Sequence, residues 1–156
     1  MLKFSDIIFD SNIDNWSEMY SVLNERILGK KQLVFLIEDE DGEKFGYYLN
    51  TQVMGKYPKQ RETDNKTFEF NLESNGRLDH PMKFEIKHLK KGGYKLYDKS
   101  DTCLITLGNI ELFKEDWKNE FCGVRNKNRF DFHGIKKALC GKNHFIPKRI
   151  LVIQMK

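Results

Sequence analysis

Leu33 to Ile37 is an unbroken apolar run, Leu-Val-Phe-Leu-Ile, with charge on either side of it. It is too short for a helix core and consists of residues that favour extended backbone, which predicts a strand buried on both faces. Asp41-Gly42 follows, and a pair that tolerates positive φ suits a tight reversal. Glu43 to Leu49 is then expected to return antiparallel beside the run, setting a hairpin at the centre of a β core. Gly46 stands among Phe45, Tyr47 and Tyr48, where an isolated glycine marks a bulge or a close backbone approach and is read as a packing position.

With 156 residues the chain suits one domain, residues 1–156, with a single core that buries roughly 68–70% of the unfolded surface. Twelve Phe and an aromatic content of 13% favour strands filled by large rings. Asp6 to Phe9 reads as a strand before a run of turn formers. From Trp16 the period changes: Trp16, Met19, Tyr20, Leu23 and Ile27 share one helical stripe, which predicts a helix from Trp16 to Leu28. Asn15 and Glu18 are placed to cap it, and Gly29 to end it in a left-handed conformation.

Thr51 to Lys66 has no period and is expected as a long surface loop, the most mobile part of the chain. Thr67 to Leu72 and Met82 to His88 alternate apolar and polar residues, so each is expected to face the core with its apolar side and water with its polar side. Tyr94 to Tyr97, Cys103 to Leu107 and Ile110 to Phe113 read as further strands, Trp117 to Asn128 as irregular, and Ile135 to Leu139 as one helical turn. Ile150 to Ile153 is expected to pair back into the core and close it. Strands at short spacing with one strong helix predict an α+β, mainly β fold: a two-layer antiparallel β-sandwich with small peripheral helices.

Several chemistries lack their residues. Asp10 to Asn15 begins like an EF-hand loop, but the sixth position is Asn15 instead of Gly and the twelfth is Ser21 instead of Glu; around Asp39 and Asp41 the first ligand would be Ile37. His80, His88, His133 and His144 are scattered, and Cys103, Cys122 and Cys140 form an odd set without paired spacing, so neither a zinc site nor a disulfide framework is expected. Cys122 or Cys140 with His133 or His144 offers the residue types of a thiol nucleophile, but no strained turn presents one. Gly92-Gly93 and Gly141-Lys142 lack the spacing of a phosphate loop. No catalytic residue, metal or cofactor is assigned. The absence of a signal-like or membrane-spanning run leads to the expectation of a cytoplasmic or nuclear protein without membrane insertion.

Charge is unevenly distributed. From Lys114 to Lys156 eleven Lys or Arg face four Asp or Glu, an excess of seven in a chain whose net charge is +4. Arg125, Lys127, Arg129, Lys136, Lys137 and Lys142, with Lys148 and Arg149, are interleaved with Phe130, Phe132, His133 and Phe145. These are the candidate partner-contact residues. Two partners fit them: an acidic protein surface, or nucleic acid held by phosphate contact and base stacking.

Four stretches resemble the TLDc domain of oxidation-resistance proteins and their eukaryotic relatives. They are Ile7 to Ser11 with the polar turn before Trp16-Ser17, the segment ending Ile27-Leu-Gly-Lys30, Leu33 to Gly46 with Tyr47-Tyr48, and Thr67-Phe-Glu-Phe-Asn-Leu72. Thr106 to Phe113 keeps a single glycine where the family has a glycine-rich step, and Ile150 to Met155 stands where the family has its closing strand, so the chain resembles a divergent, stand-alone member. The resemblance implies a β-sandwich with peripheral helices and no agreed catalytic residues. It also implies a non-enzymatic part in the oxidative stress response and, as in some relatives, docking onto the vacuolar proton pump.

Overall fold

The computed structural model describes residues 3–17, 21–55, 60–98, 100–125 and 127–156. In chain order the elements are β1 (Phe4–Asp10), α1 (Leu23–Ile27), β2 (Leu33–Asp39), β3 (Lys44–Leu49), β4 (Phe68–Glu73), β5 (Met82–Glu85), β6 (Tyr94–Leu96), β7 (Cys103–Leu107), β8 (Ile110–Phe113), α2 (Lys118–Phe121), β9 (Gly123–Val124) and β10 (Pro147–Met155). They form two antiparallel sheets, one ordered β1-β10-β2-β3-β4-β5 and the other β6-β7-β8-β9. Both sheets contribute to one core, in which Phe45 and Tyr47 of β3 make edge-on contacts with Phe145 and Phe130 from the connecting segments. The fold is mainly β, as the strand pattern predicts.

The β2–β3 hairpin lies at the middle of the larger sheet, with Leu33 opposite Leu49 and Ile37 opposite Phe45. Leu33, Phe35, Ile37 and Asp39 are fully buried, whereas Val34, Leu36 and Glu38 between them are half-buried. The expectation of burial on both faces is therefore corrected: one face meets the second sheet, and the other carries Val34 and Leu36 beside Ile153 and Leu151 of β10. Gly46 is a packing glycine, since a Cβ there would come within 2.8 Å of the Phe70 ring and 1.9 Å of the Phe35 carbonyl oxygen.

Strand β4 reverses the polarity its alternation suggests. Phe68, Phe70 and Leu72 point away from the second sheet, and Leu72 is 44% exposed, while Glu69 and Asn71 face inward and are buried. The outward rings are sheltered by neighbours on their own face: Phe68 lies 5.0 Å from Tyr48, and Lys83 stands over Phe68. The inward pair is hydrogen-bonded across the sandwich, which is the condition for burying polar groups.

Helix α1 is much shorter than the stripe predicts. The Asn15 side chain accepts from both the backbone N–H and the hydroxyl of Ser17, and the Asn15 carbonyl accepts from the Val22 N–H, a separation no helix uses. Glu18, Met19 and Tyr20 of the expected helix lie outside the described residues. Trp16, Leu23 and Ile27 nevertheless enter the core together, and Gly29 has the left-handed φ of +78°. Residues 51–55 and 60–66 are also more tied than expected, with 56–59 of the expected loop outside the described residues: Val53 is buried, the Met54 N–H donates to the Tyr94 hydroxyl, and Arg61 bridges to Tyr94. Trp117 to Asn128 holds α2 and β9 where irregular chain is expected, and 135–139 forms turns instead of a helical turn.

Glu69 yields a pH prediction. Its carboxylate is fully buried, accepting from the Asn109 backbone N–H at 2.7 Å and the Asn109 side-chain amide at 3.2 Å. Burial pushes its pKa from 4.5 to about 8, against the opposing pull of the Asn109 bonds and the nearby Arg129 charge. Below pH 4.5 folded and unfolded chains both hold this proton and its contribution to stability is full. As pH rises towards 8 the unfolded chain releases it first, so that contribution is lost across this window and then levels off. In denaturant titrations, Glu69→Gln is expected to remove about 2–4 kcal/mol of the wild-type decline between pH 4.5 and 8. Identical pH slopes in the two proteins would refute the assignment.

Candidate functional site

The β7–β8 turn builds the site. Gly108 takes φ +57°, and a Cβ there would meet Glu69 Oε1 at 2.6 Å and the Phe130 ring at 2.7 Å. The Gly108 carbonyl accepts from an Arg129 guanidinium nitrogen at 2.8 Å, and the Asn109 carbonyl accepts from the Arg125 N–H at 2.8 Å. The Lys127 N–H then donates to the Arg125 carbonyl, and the Arg129 N–H to the Lys127 carbonyl in a three-residue turn. Glu69 thus holds the turn from below, and the turn holds the basic segment above it.

Arg125, Lys127 and Arg129 converge with Lys95 on a groove of about 160 Å³ floored by Gly108 and Asn109. Glu111 is the acidic member, paired with Arg125 at 2.7 Å. Lys127 also borders a second groove, of about 360 Å³, with Lys136, Lys137, Phe132 and Ile135. Five of the six candidate contacts therefore line two grooves that share Lys127. Arg129 is half-buried, and burial lowers its pKa while Glu69 opposes that shift. Lys127, Lys136 and Lys137 are exposed.

Lys142 belongs elsewhere. Its ammonium is 3.0 Å from Asp39 Oδ2 and bonds to Asp41, so its charge answers the acidic turn of the central hairpin. Lys148 and Arg149 are also set apart: Arg149 grips Asp10 with two nitrogens, and Lys148 lies 3.8 Å from Glu38. Of the interleaved aromatics, Phe130 and Phe145 are core residues and Phe132 packs 5.0 Å from Phe84, which leaves His133 as the exposed ring.

Sequence reasoning missed a second buried network. Glu43 accepts two bonds from Arg77 and one from Asn71, while Arg77 and Asn71 also donate to the carbonyls of Lys137, Ala138 and Leu139. This clamp ties the central hairpin to the segment that carries Lys136 and Lys137. A partial signal lay in the period of β2, which puts Asp39, whose Oδ1 accepts the Glu43 N–H, on the same face as Leu33, Phe35 and Ile37. Nothing local in the sequence marks Arg77 as the partner of Glu43.

The thiols are poorly placed for chemistry. Cys103, Cys122 and Cys140 are buried and unpaired, and burial pushes their pKa values to about 12, 12 and 11. Among the described residues no three His, Cys, Asp or Glu side chains gather as a metal centre would require, and no helix is long and apolar enough to cross a membrane.

No family model matches the chain, and no curated protein matches it.

Two outcomes follow. Arg77→Ala leaves the Glu43 carboxylate buried without its guanidinium and is expected to cost about 2–4 kcal/mol in chemical denaturation, with Arg77→Lys restoring little because the contact is two-pronged. A loss under about 0.5 kcal/mol, the range of ordinary surface substitutions, would contradict the clamp. The three thiols should react with a thiol-specific reagent in the native protein at least about a hundredfold more slowly than in the unfolded chain, and equal rates would contradict their burial.

Proposed function

We propose that this protein is a non-enzymatic interaction module whose basic surface, centred on Lys127, docks onto an acidic partner surface. The observation that carries the reading is the gathering of Lys95, Arg125, Lys127, Arg129, Lys136 and Lys137 along two connected grooves, with Glu111 as the acidic residue lining them. The buried, weakly acidic thiols support a binding role over nucleophilic chemistry. An acidic protein is favoured over nucleic acid because Phe130 and Phe145 are packed in the core and Phe132 packs on Phe84, which leaves His133 alone of that set exposed for base stacking.

The four stretches that resemble a TLDc domain, together with two antiparallel sheets of the kind that resemblance implies, support a part in the oxidative stress response. The vacuolar proton pump is then the partner to test. The purified protein is expected to be retained by immobilised polyglutamate in a salt-dependent manner and to co-sediment with the isolated pump. Combining Lys127→Glu, Lys136→Glu and Lys137→Glu should weaken both by about tenfold or more at an unchanged melting temperature. Lys142 is left intact, because a carboxylate there would face Asp39. Unchanged retention by the triple variant would overturn the proposal.

A further inference from the structure

A slot of about 520 Å³ opens beside the basic groove, between α2 and strands β8 and β9. Phe113, Phe121 and Val124 form its apolar wall, and Asn143 and His144 are among the polar residues that line the rest. Phe121 is 43% exposed, and its ring is braced by Phe113 at 5.2 Å and Trp117 at 5.8 Å, so it forms a stiff wall. Glu111, Arg125 and Lys127 line both the slot and the basic groove, which makes the two parts of one surface. A large exposed aromatic next to clustered cations is the composition of an anchor pocket with a charged rim.

We infer that this slot takes a large apolar side chain, best an aromatic one, from an acidic peptide segment whose carboxylates lie along Lys127, Arg125 and Lys95. The inference rests on the reading of the basic surface as the docking face and names what the partner presents there. Charge complementarity sets the acidic flank, since four cations and one carboxylate line the groove. Slot volume and wall chemistry set the anchor.

The test uses a fluorescein-labelled synthetic peptide with one tryptophan among glutamates, the same peptide with alanine for tryptophan, and labelled oligothymidylate, each titrated by fluorescence anisotropy. The tryptophan peptide is expected to bind about tenfold or more tightly than the alanine peptide. Phe121→Ala should reduce that preference to about twofold or less, and Lys127→Glu should weaken both peptides. Equal affinity of the two peptides, with both still sensitive to Lys127→Glu, would overturn the anchor slot and leave the acidic docking face standing. Binding indifferent to Lys127→Glu would overturn both, as would oligothymidylate binding more tightly than either peptide. The comparison of peptides on the unmodified protein decides the matter even if Phe121→Ala does not fold.

Discussion

A single buried carboxyl, Glu69, connects the two sheets at the place where the surface becomes basic. It projects from β4 into the sandwich and receives the Asn109 N–H at the tip of the β7–β8 turn. The two carbonyls of that tip then bind Arg129 and Arg125. An apolar residue at 69 would fill the volume but leave the Asn109 N–H buried and unpaired, which costs more than a typical hydrogen bond contributes. The raised pKa gives the pair a further option. A protonated Glu69 donates an O–H, and the side-chain Oδ1 of Asn109, which has no partner in its present orientation, accepts it once the side-chain amide turns over.

A second polar clamp does the same at the other end. Glu43 and Arg77 bind the 137–139 backbone to the central hairpin, and Lys142 closes over Asp39 and Asp41. The segment between the clamps carries Phe130 and Phe132, packed against the rings of Tyr47 and Phe84. Aromatic packing thus holds its middle and charge-assisted hydrogen bonds hold its ends. The exposed cations stand on backbone fixed from beneath, a precondition for a surface that recognises rather than merely attracts.

The parts of this architecture legible in the sequence are those encoded by local pattern. Leu33 to Leu49 announces its hairpin through an apolar run, a turn pair and a return, and Cys103 to Phe113 announces a second through Gly108-Asn109. What failed to show depends on partners distant in the chain. Phe68 and Phe70 alternate with Glu69 and Asn71 whichever face is inward, and only the bonds to Asn109, Glu43 and Leu139 decide the orientation. Trp16, Leu23 and Ile27 of the predicted stripe are core residues, yet α1 holds only Leu23–Ile27, and the bonds to the Asn15 side chain and carbonyl are contacts that periodicity does not register. Among the basic residues, sequence places Lys142 with its neighbours, while its acidic partners lie about a hundred residues earlier. Phe113 was legible as the end of a strand, but its pairing with Phe121 was not, since a slot between a helix and a strand edge has no spacing rule.

Position of the basic segment is therefore a consequence of polar contacts made inside the sandwich. Amide hydrogen exchange at Asn109, resolved by NMR, examines this most directly. If Glu69 secures the turn from across the core, the Asn109 amide should exchange as slowly as those of Phe35 and Tyr47 in the central hairpin, through global opening. Exchange at Asn109 as fast as at Gly76, in the exposed turn after β4, would show a turn that opens independently of the larger sheet and would contradict the account.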